Sequence, residues 1–281
     1  MYFAEVILAS AILIVVNNYQ TGATNYEGGI ERYDYASGGY GKDPNLPYGN
    51  ITLNLFVEYD NGYKTHKETR KNISEYLTKF VKKVNSYFRY REENAEQRIQ
   101  SVKFHLEGYK ESEKNAIDQI QELGSGPVTL QATHQFLHTV GTKYHKEHSK
   151  LSAVLLLTLP PSPETPDYND LFYAATTLGG LCSNEMATVV VDDPREMKGA
   201  APAARALAKL LGAVKDGEDQ PKEGPIPGSD GAKHCDPKDG YLLGSASNAE
   251  NSNKVSECSL EQFFNGLERR DKSCWDKKAD A

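Results

Sequence analysis

The sequence has no hydrophobic run of membrane-spanning length. Its apolar stretch Val6–Val16 covers 11 residues, where a spanning helix needs about 20. It has no long basic stripe interleaved with aromatics, and at net charge −7 and pI ≈ 5.6 it lacks the electrostatic footprint of a general nucleic-acid binder. No G-x-S-x-G occurs in it, so serine-hydrolase chemistry lacks its nucleophile turn. Four cysteines are present, and beside secretory features they read as disulfide partners rather than as nucleophiles.

What is present describes one folded, secreted domain. With 38% apolar and 25% charged residues the 281-residue chain is globular rather than disordered. Its length allows one domain of about 200–250 residues with an N-terminal extension. Val6–Val16 suits the core of a secretory signal peptide over residues 1–20, although Glu5 and the lack of a preceding Lys or Arg depart from the usual pattern. No membrane contact is expected after its removal. Acceptor sequons at Asn50-Ile51-Thr52 and Asn72-Ile73-Ser74 agree with secretion. Four cysteines allow three connectivities, and spacing alone does not choose among them.

Residues 21–50 read as a flexible acidic arm rich in Gly and Tyr. Tyr26, Tyr33 and Tyr35 lie beside carboxylates there, and sulfation would make the arm an anionic contact for a basic partner. The globular domain spans 51–281. Alternation over Ile51–Tyr59 predicts a strand, followed by a helix near 66–88, a strand near Ser101–Leu106, a helix near Leu130–His145 and a buried strand at Leu151–Leu159. Leu171–Thr177 reads as an edge strand and Ala187–Asp192 as a further strand. Helices are expected at 199–215 and near Leu260–Arg269. Strands alternating with helices predict an α/β fold.

The stretch Arg205-Ala206-Leu207-Ala208-Lys209-Leu210-Leu211-Gly212-Ala213-Val214-Lys215-Asp216-Gly217 has the frame of the zinc-protease pattern H-E-x-x-H-x-x-G-x-x-H-D-G without its reactive side chains. Arg205, Lys209 and Lys215 stand at the three histidine positions and Ala206 at that of the glutamate. Catalysis by such a site needs neutral imidazoles on zinc, an open position for water and a carboxylate base. Guanidinium and ammonium groups are donors only and carry positive charge. At about 4 Å from a metal ion each would cost on the order of several kcal/mol even at an effective dielectric of ~20. Taken alone the stretch is also an amphipathic helix, with Leu207, Leu210, Leu211 and Val214 at i, i+3, i+4 and i+7.

Its neighbours narrow that choice. Thr177-Leu178-Gly179-Gly180-Leu181-Cys182 precedes it. His234-Cys235-Asp236-Pro237, Gly240-Tyr241-Leu242-Leu243-Gly244-Ser245, Glu257-Cys258-Ser259-Leu260-Glu261-Gln262-Phe263-Phe264 and Cys274 follow. This order, over roughly residues 51–276, resembles the reprolysin (adamalysin-like) branch of the metzincin metalloproteases, in particular the salivary metalloproteases of ticks. The resemblance implies a mixed, mostly parallel twisted sheet with helices in an upper subdomain (51–217) and a small loop-rich lower subdomain (218–281). It also implies the disulfides Cys182–Cys274 and Cys235–Cys258. It puts Leu243 at the position of the methionine beneath the zinc, and the family's zinc cofactor is expected to be lost with its ligands.

A second histidine pattern, His134-Gln135-Phe136-Leu137-His138 with His145 beyond, could chelate a metal from one helix face. Gln135 is no base, the third histidine is one residue late and no cysteine-and-turn sequence follows. No pro-segment is recognisable between the apolar leader and Ile51, as expected of a protein with no activity to restrain. The sequence carries no disintegrin-like or cysteine-rich segment, so binding is expected to reside in this domain and its arm. The expectation is a secreted pseudoprotease that binds an extracellular or host protein, with Arg205, Lys209 and Lys215 offering a basic cleft to an anionic group. The alternative is an active zinc endopeptidase with displaced ligands, from the 134–148 helix or His234.

Overall fold

The computed structural model describes residues 45–69, 71–88, 98–160, 166–245 and 250–275. The leader over 1–20, most of the arm and the tyrosines Tyr26, Tyr33 and Tyr35 lie outside them.

Strand β1 (Gly49–Asp60) turns Leu53, Leu55 and Val57 to one face, as its alternation predicts. It runs parallel to β2 (Ile99–Ser112) on one side and to β3 (Ala153–Thr158) on the other, with Leu55 opposite both Leu106 and Ala153. Strand β4 (Ala187–Val191) adds beyond β3, giving the order β2-β1-β3-β4. β3 is buried at all its positions, as an interior strand covered on both faces must be.

Helices α1 (Gly62–Thr65), α2 (Ile73–Ser86), α3 (Ala116–Gly124), α4 (Leu130–Glu147), α5 (Asn169–Ala175), α6 (Ala200–Leu210) and α7 (Glu257–Glu268) complete the described elements, apart from two short 3₁₀ turns. Side chains at the N-caps of α2, α3, α4 and α7, namely Asn72, Asn115, Thr129 and Ser256, accept first-turn N–H groups that have no partner within the helix. The apolar faces of α2, α6 and α7 join Leu53, Leu55, Leu155 and Leu157 in one core, while those of α3, α4 and α5 join Val154, Leu156 and Val189 in another. The result is an α/β protein with helices on both faces of a four-stranded sheet.

Two expectations are corrected. The sheet is entirely parallel among the described residues, not mixed, because the segment 171–177 that reads as an edge strand contributes to helix α5 instead. A short apolar run does not reveal its period. Here Phe172 and Ala175 are buried while Ala174 between them is exposed, which is helical spacing. Thr176 ends the helix by donating its N–H to Phe172 O at 3.0 Å and its hydroxyl to the same oxygen at 2.9 Å.

Side-chain amides close one peptide group on each edge of the sheet. Asn169, at the start of α5, accepts from Val191 N at 2.9 Å and donates to Val191 O at 3.2 Å. Asn85 on α2 does the same for Phe104 of β2, at 2.8 Å in both directions. Each amide stands where a neighbouring strand would otherwise pair.

Cys182 is bonded to Cys274 and Cys235 to Cys258. The first bridge fastens the end of the described chain to the sheet, where Ser152 accepts from Asn54 N at 3.0 Å and donates to Cys274 O at 2.9 Å.

Candidate functional site

Helix α6 is built of small residues. Ala200, Ala203, Ala204, Ala206 and Ala208 are all buried on it, which lets its backbone lie close to the sheet. Its start is anchored by Asp192 at the end of β4, which accepts from Gly199 N at 2.9 Å, from the Tyr63 hydroxyl at 3.0 Å and from the Tyr76 hydroxyl. Burial raises the Asp192 carboxyl above the usual carboxylate range, against the pull of those three donors.

Past its end, Gly212, Asp216 and Gly217 have structural uses. Gly212 has φ +111°, and a Cβ there would lie 2.5 Å from Ile226 Cδ1. Asp216 is 4% exposed, accepts from Ser256 Oγ at 2.7 Å and donates its N–H to Leu243 O at 3.2 Å. Gly217 has φ +84° and donates its N–H to Ala232 O at 2.8 Å. These positions shape a turn whatever happens to a metal.

That turn, α5, the start of α6 and the segment 237–245 enclose a cleft of about 580 Å³. Arg205, Lys215 and Leu243, far apart in sequence, all line it. Arg205 Nε donates to Leu242 O at 3.3 Å, and Lys215 Nζ stands 5.5 Å from the centre of the Tyr173 ring.

Ala206 and Lys209 do not line this cleft. Ala206 is buried at 2% exposure. Lys209 is turned to the end of α5, where Nζ donates to Tyr173 O at 2.8 Å and Ala174 O at 3.0 Å and lies 4.9 Å from the centre of the Tyr173 ring. Burial, and after it the like charge of Lys215, push the Lys209 ammonium down to about 8, with Glu218 pulling the other way. Tyr173 is pushed above the ordinary phenol range, chiefly by burial.

The cleft carries carboxylates beside its two cations. Helix α5 brings in Asp170, and the turn after Lys215 brings in Glu218, so with Asp216 three carboxylates face the two cations Arg205 and Lys215. The pattern around residue 205 could not disclose Asp170 or Tyr173, which arrive from a helix 30 or more residues earlier.

Zinc does not fit this donor set. Arg205, Lys209 and Lys215 offer no lone pair while charged, and the Lys209 ammonium is spent on two carbonyls. Among the described residues no group of three or more His, Cys, Asp or Glu side chains is arranged to hold a metal ion. On α4 the histidines face separate partners: His134 Nδ1 lies 3.1 Å from Ala175 O, while His138 Nδ1 pairs with Glu185. The other oxygen of Glu185 accepts from Thr177 Oγ1 at 3.0 Å. His145 is exposed, and His234 stands 3.9 Å from Asp230 at the surface.

Both sequon asparagines are exposed. Asn72 caps α2 through Oδ1, accepting from Glu75 N at 3.0 Å. Glycosylation substitutes the amide nitrogen, so a glycan leaves that cap in place.

No protein-family model matches the chain, and no curated protein matches its sequence. The chain is an α/β protein with a four-stranded parallel sheet and two disulfides, and no helix among its described residues is long and apolar enough to cross a membrane.

Proposed function

We propose that the chain is a secreted, catalytically inactive metalloprotease-like protein of the reprolysin type, which holds an extracellular or host protein instead of cutting it. The observation that carries this reading is the meeting of Arg205, Lys215 and Leu243 on one cleft. These are two zinc-ligand positions and the methionine position of the metzincin pattern, and neither cation is a metal ligand at neutral pH. Ala206 supplies no general base. The disulfides Cys182–Cys274 and Cys235–Cys258 suit an oxidising, extracellular setting.

Helix α5 also bears on how a partner would be held. An edge strand along 171–177 would expose N–H and C=O groups to an extended peptide, whereas the helix satisfies its own backbone and Asn169 occupies the edge of β4 at Val191. Along segment 171–177, holding therefore falls to side chains rather than to a strand edge.

The test uses the purified, glycosylated chain. Incubation with casein and fibrinogen, with and without a chelator, is expected to give no chelator-sensitive fragments, and a pull-down from plasma is expected to retain a protein stoichiometrically. Chelator-sensitive cleavage overturns the proposal in favour of an endopeptidase with displaced ligands.

A further inference from the structure

Five charged side chains line the cleft: Asp170, Arg205, Lys215, Asp216 and Glu218. None of them pairs with an opposite charge within 4.0 Å among the described residues. Surface charges of both signs at such density ordinarily find each other. Here Arg205 is turned by its bond to Leu242 O, and Asp216 by its bond to Ser256.

One of the five is more than a surface charge. Asp216 is 4% exposed, and its Oδ2 is buried with no hydrogen-bond partner. That oxygen has no exposed surface, so a ligand in the cleft meets the exposed carboxylates Asp170 and Glu218 instead. Pro202, Leu242 and Leu243 give the cleft apolar surface beside the polar Asn169, Tyr241 and Ser245. A cleft of about 580 Å³ falls in the range that encloses a small ligand or one to two peptide residues.

A ligand that answers these charges carries both signs on one apolar stem. Among protein groups, the C-terminal residue of a chain ending in arginine or lysine has that chemistry: an α-carboxylate, a methylene stem and a terminal cation. An internal acidic or basic side chain answers only half of the cleft. A chain end also needs no strand edge, which α5 does not provide.

We propose that this cleft binds the C-terminal residue of a peptide ending in arginine or lysine, its carboxylate against Arg205 and Lys215 and its side-chain cation against Asp170 and Glu218. The inference rests on the reading of the chain as a protein that holds its partner without cutting it. Guanidinium–carboxylate pairing suits both halves, since it is bidentate and directional.

The test is fluorescence anisotropy with fluorescein-labelled Gly-Ala-Ala-Arg as free acid, as C-terminal amide, and with norleucine in place of the arginine. The free acid should bind saturably, and amidation or loss of the guanidinium should each weaken binding at least tenfold. Lys215 and Glu218 are exposed, so their substitution leaves the fold intact. In Lys215→Ala the penalty for amidation should shrink to under threefold, and in Glu218→Gln the preference for arginine over norleucine should fall by a similar factor. Equal binding of acid and amide, or no saturable binding of any probe while a plasma protein is still retained, overturns the C-terminal site and leaves the holding reading standing. Chelator-sensitive shortening of the probe overturns the holding reading itself.

Discussion

Replacing Lys209 by methionine should make the protein's stability less dependent on pH, and the structure sets the size of the effect. The side chain is half-buried between α5 and α6, with Nζ on the carbonyls of Tyr173 and Ala174. Its ammonium is pushed down to about 8 from an ordinary 10.5, first by burial and then by Lys215. At 1.36 kcal/mol per pH unit that gap corresponds to on the order of 3 kcal/mol. Because the folded state binds this proton more weakly than the unfolded chain, the cost is fully present below pH 8 and disappears as pH rises from 8 to 10.5. Between pH 7 and 9.5 the wild type should therefore gain roughly 2 kcal/mol relative to Lys209→Met. The assay is urea unfolding of both proteins at half-unit pH intervals, stopping at 9.5, before ordinary tyrosines ionise near 10. Buried Tyr63, Tyr76 and Tyr144 are raised above that range and act alike in both proteins. A stability difference that stays flat across the interval, or that grows in favour of methionine as pH rises, refutes the placement of a desolvated ammonium at Lys209.

Three other outcomes follow from the packing. Gly212→Ala forces a Cβ to 2.5 Å from Ile226 Cδ1 at φ +111°, so thermal or urea unfolding should show a loss of about 3 kcal/mol; a change below about 1 kcal/mol would contradict the close turn. Removing the Cys182–Cys274 bridge by paired alanines frees a loop with a sequence separation of 92 residues and should cost about 4–5 kcal/mol, against about 3 kcal/mol for Cys235–Cys258 with a separation of 23. Equal losses would count against the loop-entropy reasoning. Asn169→Ala leaves the Val191 peptide without its side-chain partner, and should destabilise by about 2 kcal/mol while accelerating amide exchange at Val191; unchanged exchange there would show that the edge is closed by something else.

The strands and most helices were legible because their apolar periods are long enough to read. β1 alternates over Leu53, Leu55 and Val57, and α4 occupies Leu130–Glu147 where a helix near Leu130–His145 is expected. The α5 segment was not, since 171–177 is short, apolar and ends in two threonines, and only its packing through Phe172 and Ala175 selects helix. Helix α3 went unread although Asn115 and Asp118 mark its start and Ile117 and Ile120 its buried face. β2 extends to Ser112, well beyond the expected Leu106, because an edge strand tolerates the polar residues Glu107, Lys110 and Glu111 that hide its pattern.

At the candidate site the frame was legible in Gly212 and Gly217, whose positive φ favours glycine, and in Asp216, which accepts from Ser256. The fate of the three cations was not. Whether a lysine faces a cleft or a helix end depends on what packs beside it, and the partners of Lys209 come from Tyr173 and Ala174, some 36 residues away. The carboxylates Asp170 and Glu218 belong to no pattern in the sequence and enter the cleft only through the fold.

The central claim is that cations have taken the place of a metal on the helix carrying Arg205 and Lys209. Zinc content tests it most directly: the chain is secreted from cells grown with ample zinc, purified without chelator, and its metal measured by inductively coupled plasma mass spectrometry. The account predicts zinc far below one per chain, unchanged when His134 and His138 are both replaced by alanine. One tightly held zinc per chain would contradict it.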